Sequence, residues 1–119
     1  MAAPNIVNAT TITGKTAVLA VTTVATDIVA NAAASGKVLK INTLRVANVD
    51  GSASANITAS VYRSSTEYPI AYTVAVPANN SLDVLDKGVT IYLEEGDSLR
   101  LTASANGDLT AVVSYEEIS

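Results

Sequence analysis

Apolar and polar residues alternate along most of this chain, with the period of a β-strand rather than that of a helix. Ile57, Ala59 and Val61 alternate with Asn56, Thr58, Ser60 and Tyr62. Ile70, Tyr72, Val74 and Val76 alternate with Ala71, Thr73 and Ala75. The same holds for Val89, Ile91 and Leu93, for Leu99, Leu101 and Ala103, and for Leu109, Ala111, Val113 and Tyr115. Each run turns one face inward and one outward, as strands of an antiparallel sheet do. Over residues 37–47 the phase changes, because Leu39 and Ile41 share one parity while Leu44 and Val46 share the other. A β-bulge near Asn42-Thr43 restores the inward direction and bends the strand, as where a long strand passes between two packed sheets.

Turn residues separate these runs: Thr13-Gly14-Lys15, Ala34-Ser35-Gly36, Val49-Asp50-Gly51-Ser52, Pro77-Ala78-Asn79-Asn80-Ser81, Asp86-Lys87-Gly88, Glu95-Gly96-Asp97 and Asn106-Gly107-Asp108. Asn106-Gly107, between two alternating runs, reads as a hairpin turn. Asn31-Ala32-Ala33-Ala34 is too short for a stable helix and reads as a connection. The pattern predicts an all-β chain, an antiparallel β-sandwich of jelly-roll-like form with eight or nine short strands. Residues 14–119 form its single domain, and residues 1–13 are either its first strand or an arm that pairs with a neighbouring subunit.

Composition narrows the chemistry. At 119 residues the chain can bury roughly two thirds of its unfolded surface. With no Phe or Trp, the core is aliphatic. The chain also has no His and no Cys, so the usual proton shuttle, the usual thiol nucleophile and the soft metal ligands are missing. The net charge is −4 and the seven basic residues do not cluster, which argues against nucleic acid and against a membrane surface as partners. The apolar stretches are too short to cross a bilayer. Met1-Ala2-Ala3-Pro4-Asn5 lacks the basic and apolar regions of a secretory signal, so folding in the cytoplasm of the producing cell is expected.

Three constellations could carry chemistry, and each has a plainer reading. Glu94-Glu95-Gly96-Asp97 could ligate calcium, but it lacks the spacing of a calcium-binding loop and reads as a solvated turn. Asp83 and Asp86 could act as paired carboxylates in glycoside cleavage, yet a thin aliphatic sandwich leaves little room for a cleft. A Ser–Lys arrangement could use Lys15, Lys37, Lys40 or Lys87, with no local pattern in support. The expectation is a non-enzyme with no catalytic residues, no metal and no cofactor.

The outward positions are mostly Thr, Ser, Ala and Asn, and only 15% of the chain is charged against about a quarter in ordinary domains. A free monomer normally interrupts its sheet faces and edges with charge. Short neutral side chains instead let surfaces approach closely at little entropic cost. This predicts a homo-oligomer, with copies of itself and other assembly proteins as partners. The candidate interface residues are Tyr62, Tyr68 and Tyr72, together with Pro4, Ile6 and Tyr115.

The sequence from Val76 to Leu85, the stretch Ile91-Tyr92-Leu93-Glu94-Glu95-Gly96-Asp97-Ser98-Leu99-Arg100 and the ending Val113-Ser114-Tyr115-Glu116-Glu117-Ile118 together resemble the small virion structural proteins of tailed bacteriophages. The resemblance spans residues 37–119. It implies a repeated, non-catalytic component of a virion, such as a head decoration or cement protein. The alternative it leaves open is a tail, neck or fibre component that binds carbohydrate for host attachment.

Overall fold

The computed structural model describes residues 6–86 and 88–119, the side chain of Ile6 excepted. A single turn of 3-10 helix, Ile6–Asn8, precedes nine strands. These are β1 (Ile12–Ala20), β2 (Thr26–Ala30), β3 (Val38–Asn48), β4 (Ala55–Arg63), β5 (Thr66–Val76), β6 (Ser81–Leu85), β7 (Ile91–Leu93), β8 (Ser98–Ala103) and β9 (Leu109–Ile118). One sheet runs β1-β9-β3, with β6 and β7 sharing the far edge of β3, and the other runs β2-β8-β4-β5. The pairings are nested: β1 with β9, β2 with β8, β3 with β6 and β7, β4 with β5. A long hairpin folded back on itself and wound into two sheets has this order, which is that of a jelly roll.

The expected bulge lies at Asn42, where the β3–β9 register slips between Ile41 and Thr43. Leu39 and Ile41 therefore face the core before it, and Leu44 and Val46 after it. The bulge also explains why one jelly-roll strand is split: β7 pairs with Leu39–Ile41 on one side of it and β6 with Leu44–Ala47 on the other. β3 stays within one sheet throughout, so the bend does not carry it across the sandwich as anticipated.

The core is aliphatic. Ile41, Leu44, Val46, Leu93 and Val113 from one sheet meet Ile57, Val76, Leu99 and Leu101 from the other, all fully buried. Each large side chain so buried contributes about 1.5–3 kcal/mol. Two buried asparagines tie the loops to the sandwich. Asn31 Nδ2 donates to the carbonyls of Lys37 (2.9 Å) and Leu93 (3.0 Å). Asn48 Nδ2 donates to those of Ala53 (3.0 Å) and Val76 (2.9 Å), and its Oδ1 accepts from Asp50 N (2.8 Å).

Several local expectations need correction. Asn106-Gly107 does not close a hairpin: residues 104–108 cross from β8 in one sheet to β9 in the other. Asn106 Oδ1 instead accepts from Thr23 N (2.9 Å), which ties two loops together. The tight hairpin is at Ser64-Ser65, whose φ values of 52° and 61° fit a type I′ turn. Thr13-Gly14-Lys15 is not a turn but part of β1, so the boundary drawn after residue 13 falls inside a strand. Along β5 the alternation fails, because register slips between Ile57 and Ala59 and between Ala59 and Ser60 leave Ile70, Tyr72 and Val74 partly exposed.

Candidate interaction surface

The acidic turn between β7 and β8 is exposed at Glu94 and Gly96, but its last residue, Asp97, is buried in a clasp. Gly96 adopts φ +88° and lets the chain reverse. Asp97, only 3% exposed, then accepts from Arg63 Nε (2.8 Å), Arg63 Nη2 and Glu94 N (2.8 Å). Arg63 also reaches Glu94 (2.9 Å), and Glu95 accepts from the backbone of Gly36 (2.6 Å). The Arg63 guanidinium is the main cause that holds the Asp97 carboxyl below its ordinary range, with the Glu94 amide adding to it. These carboxylates are spent on protein donors. Among the described residues no three acidic side chains are placed to share a metal ion.

Asp83 and Asp86 border one shallow, open depression of about 390 Å³ but do not act as a pair. Asp83 takes a two-pronged contact from Arg45 (2.7 and 3.2 Å), which lowers its pKa, the opposite of what a general acid needs. Asp86 accepts from Gly88 N (2.9 Å) and shapes its own loop. Lys15 and Lys37 both reach Glu117 (3.4 and 3.0 Å) and Lys40 reaches Glu116 (4.0 Å), while Lys87 lies outside the described residues.

The tyrosines separate into different environments. Tyr62 is half-buried, with the Arg100 guanidinium 3.6 Å from its ring centre. Arg100 is held in turn by Asp27 (2.9 Å), so this aromatic packs within its own sheet. Tyr68 and Tyr72 are 55% and 71% exposed on the edge strand β5. Tyr68 and Tyr92, with Val61, Arg63 and Ile91, line an open and mainly apolar depression of about 410 Å³. Tyr115 packs half-buried against the core. Pro4 and the side chain of Ile6 lie outside the described residues.

The surface that the local motifs missed is the outer face of the five-stranded sheet. Register aligns its side chains in rows across β1, β9 and β3: Thr16, Ser114 and Thr43; Val18, Val112 and Arg45; Ala20, Thr110 and Ala47. Val18 is 72% and Val112 44% exposed. The charges on these rows and on the adjoining β6 are Arg45 and Asp83, and they neutralise each other. The next row on the same face, Gly14, Glu116 and Lys40, carries a second matched pair, so the face is broad and nearly neutral, with two neighbouring valines in water. The period-2 pattern contained this signal, because Val18 and Val112 sit at outward positions where a solvated sheet carries polar residues.

Against models of known protein families the chain finds no match, and against curated proteins it finds none either.

Proposed function

We propose that this chain is a non-enzymatic virion structural protein of a tailed bacteriophage that decorates or cements the particle through repeated subunit contacts. The observation that carries this reading is the neutral outer face of the five-stranded sheet, with Val18 and Val112 exposed among Thr, Ser and Ala. Such a face loses little side-chain entropy and desolvates few charges when another protein covers it. Each contact is weak, and symmetry multiplies it over many copies. The resemblance of residues 37–119 to phage virion proteins supports the same reading. The protein folds in the host cytoplasm and resides in the virion. Its partners are copies of itself and other virion proteins.

The test is quantitative mass spectrometry on purified particles of the phage that encodes the chain. The expected result is a fixed copy ratio to the major head or tail protein, reduced by Val18→Lys or Val112→Lys. Particles that lack the chain sink the proposal.

A second reading, a carbohydrate-binding attachment module, rests on the exposure of Tyr68 and Tyr72. A glycan array with Tyr68→Ala and Tyr72→Ala variants separates the two. A saccharide signal that these changes abolish favours attachment.

A further inference from the structure

The two sheets present their edges very differently. β5 carries Pro69 and two register slips against β4. β2 is five residues long, with a slip between Asp27 and Val29. β6 and β7 are five and three residues long, with the bulge of β3 between them. Prolines, bulges, short strands and lysines are the usual devices that stop an edge from pairing with another chain. Of these β1 has only Lys15, which is drawn to Glu117 of its own subunit.

β1 pairs with β9 over nine consecutive residues without a slip, from Ile12 opposite Ile118 to Ala20 opposite Thr110. Backbone bonds extend that ladder at both ends, from Thr11 N to Ser119 O (2.9 Å) and from Val21 N to Leu109 O (3.0 Å). On its other side β1 has no paired strand among the described residues. Alternate backbone groups of a regular strand therefore face outward along its length. Lys15 is the only charged residue in β1, and Ile12 and Val18 are exposed.

Gly14 is a second, independent observation. It lies inside this regular strand, without the positive φ found at Gly36, Gly96 and Gly107. A Cβ added to it would meet no atom within 4 Å. No described residue of its own subunit requires a glycine there, and a glycine costs a strand about 0.5–1 kcal/mol. It lies on the same outer face as Thr16 and Val18, where the missing side chain leaves room for one from a neighbouring strand to lie over the backbone.

We propose that β1 pairs antiparallel with the β1 of a second copy about a two-fold axis at Thr16, joining the two five-stranded sheets into one. Thr16 is the midpoint of Ile12–Ala20, so this register pairs the whole strand. It sets Gly14 opposite Val18, Ile12 opposite Ala20 and Lys15 opposite Ala17. An axis at Lys15 would set two ammonium groups face to face, which is unfavourable. The two-fold is self-complementary, so a single kind of edge suffices. A ladder of this length buries on the order of 1,000 Å² in total, near the lower bound for a specific interface, which makes the dimer concentration-dependent. The inference rests on the reading of the chain as an assembling protein, and it names the partner.

The chain has no cysteine, which makes a cross-linking test clean. Thr16→Cys places two thiols across the axis within disulfide reach. Val112→Cys, exposed one strand back on the same face, is the control. The expected result is a wild-type monomer–dimer equilibrium by sedimentation between micromolar and millimolar protein. Mild oxidation should cross-link Thr16→Cys at least tenfold faster than Val112→Cys. Thr16→Lys should yield a monomer with an unchanged circular dichroism spectrum. A wild type that stays monomeric at millimolar concentration overturns the proposal. So does a dimer that survives Thr16→Lys while Thr16→Cys cross-links no faster than the control. A β1 dimer absent from phage particles would sink the virion reading alone, and a virion protein that never cross-links at Thr16→Cys would sink this one alone.

Discussion

Replacing Asp97 by alanine should be among the most damaging single changes outside the aliphatic core. The carboxylate is 3% exposed and receives three hydrogen bonds, two from the Arg63 fork and one from Glu94 N. A hydrogen bond to a charged group contributes about 1.5–3 kcal/mol, and breaking a buried pair costs about 3–5 kcal/mol. Arg63 remains 46% exposed and can rehydrate, which puts the loss near the lower end, at about 3 kcal/mol. For a domain of this size that corresponds to a fall of about 12 °C in Tm. Asp97→Asn keeps an acceptor for Glu94 N and should lose about half as much. The acid dependence follows from the same contacts. Asp97 has a folded-state pKa below its unfolded one, so its contribution is complete well above the unfolded value of about 3.9 and is lost as pH falls through the folded value. Thermal melts of wild type, Asp97→Ala and Asp97→Asn at pH 7 and in steps below pH 4 check both parts. A Tm for Asp97→Ala within 2 °C of wild type would refute the clasp. A gap between wild type and Asp97→Asn that stays constant into strong acid would refute the assignment of its strength to the charge.

Three further outcomes can be checked by denaturant or thermal unfolding. Asn48→Ala removes the donor that reaches the carbonyls of Ala53 and Val76, and should cost about 2–3 kcal/mol in urea unfolding, whereas Asn56→Ala on the exposed face should cost little. Tyr62→Leu keeps apolar bulk but loses the ring beneath Arg100, and a double-mutant cycle with Arg100→Met should return a coupling of about 0.5–1 kcal/mol. Asp108 has its pKa raised by burial and by the neighbouring Asp50 charge, so its ionised form is disfavoured in the folded state. Asp108→Asn should therefore raise Tm at pH 7, with the gain fading as pH falls towards about 4, and a lower Tm at pH 7 would contradict this.

Local periodicity made much of the fold legible, and the exceptions share a cause. Leu99, Leu101 and Ala103 face inward as their alternation requires, and the slip at Asn42 follows from the phase change between Ile41 and Leu44. Partner choice is not a local property. Asn106-Gly107 has hairpin chemistry, but β8 and β9 each find better-matched neighbours in opposite sheets. Ser64-Ser65 lacks the glycine or asparagine that advertises a type I′ turn, and the pairing of β4 with β5 enforces its positive φ values. Arg63 and Asp97 are 34 residues apart, so their clasp exists only once β4 and the β7–β8 turn are neighbours. The burial of Asp97 within this turn is not legible locally, because the cation that makes it possible comes from a distant strand. The neutral face, by contrast, is foreshadowed by the low charge of the outward positions, while Tyr62, Tyr68 and Tyr72 lie on the four-stranded sheet.

The distribution of charge gives that neutral face its meaning. Each of the six described cations, Lys15, Lys37, Lys40, Arg45, Arg63 and Arg100, is matched to a carboxylate within the subunit. Several of these pairs are exposed and add little stability. Their effect on the surface is larger: they cancel local fields, so a net charge of −4 does not concentrate against an approaching copy. The buried polar clasps of Asp97, Asn31 and Asn48 sit in loops and at strand ends, while Thr16 and Val18 on the outer face of β1 are exposed and make none of these contacts. If the proposed contacts hold, stability and contact are carried by different residues. A change at Val18 or Thr16 should alter association and leave folding intact, whereas a change at Asp97 or Asn48 should do the reverse.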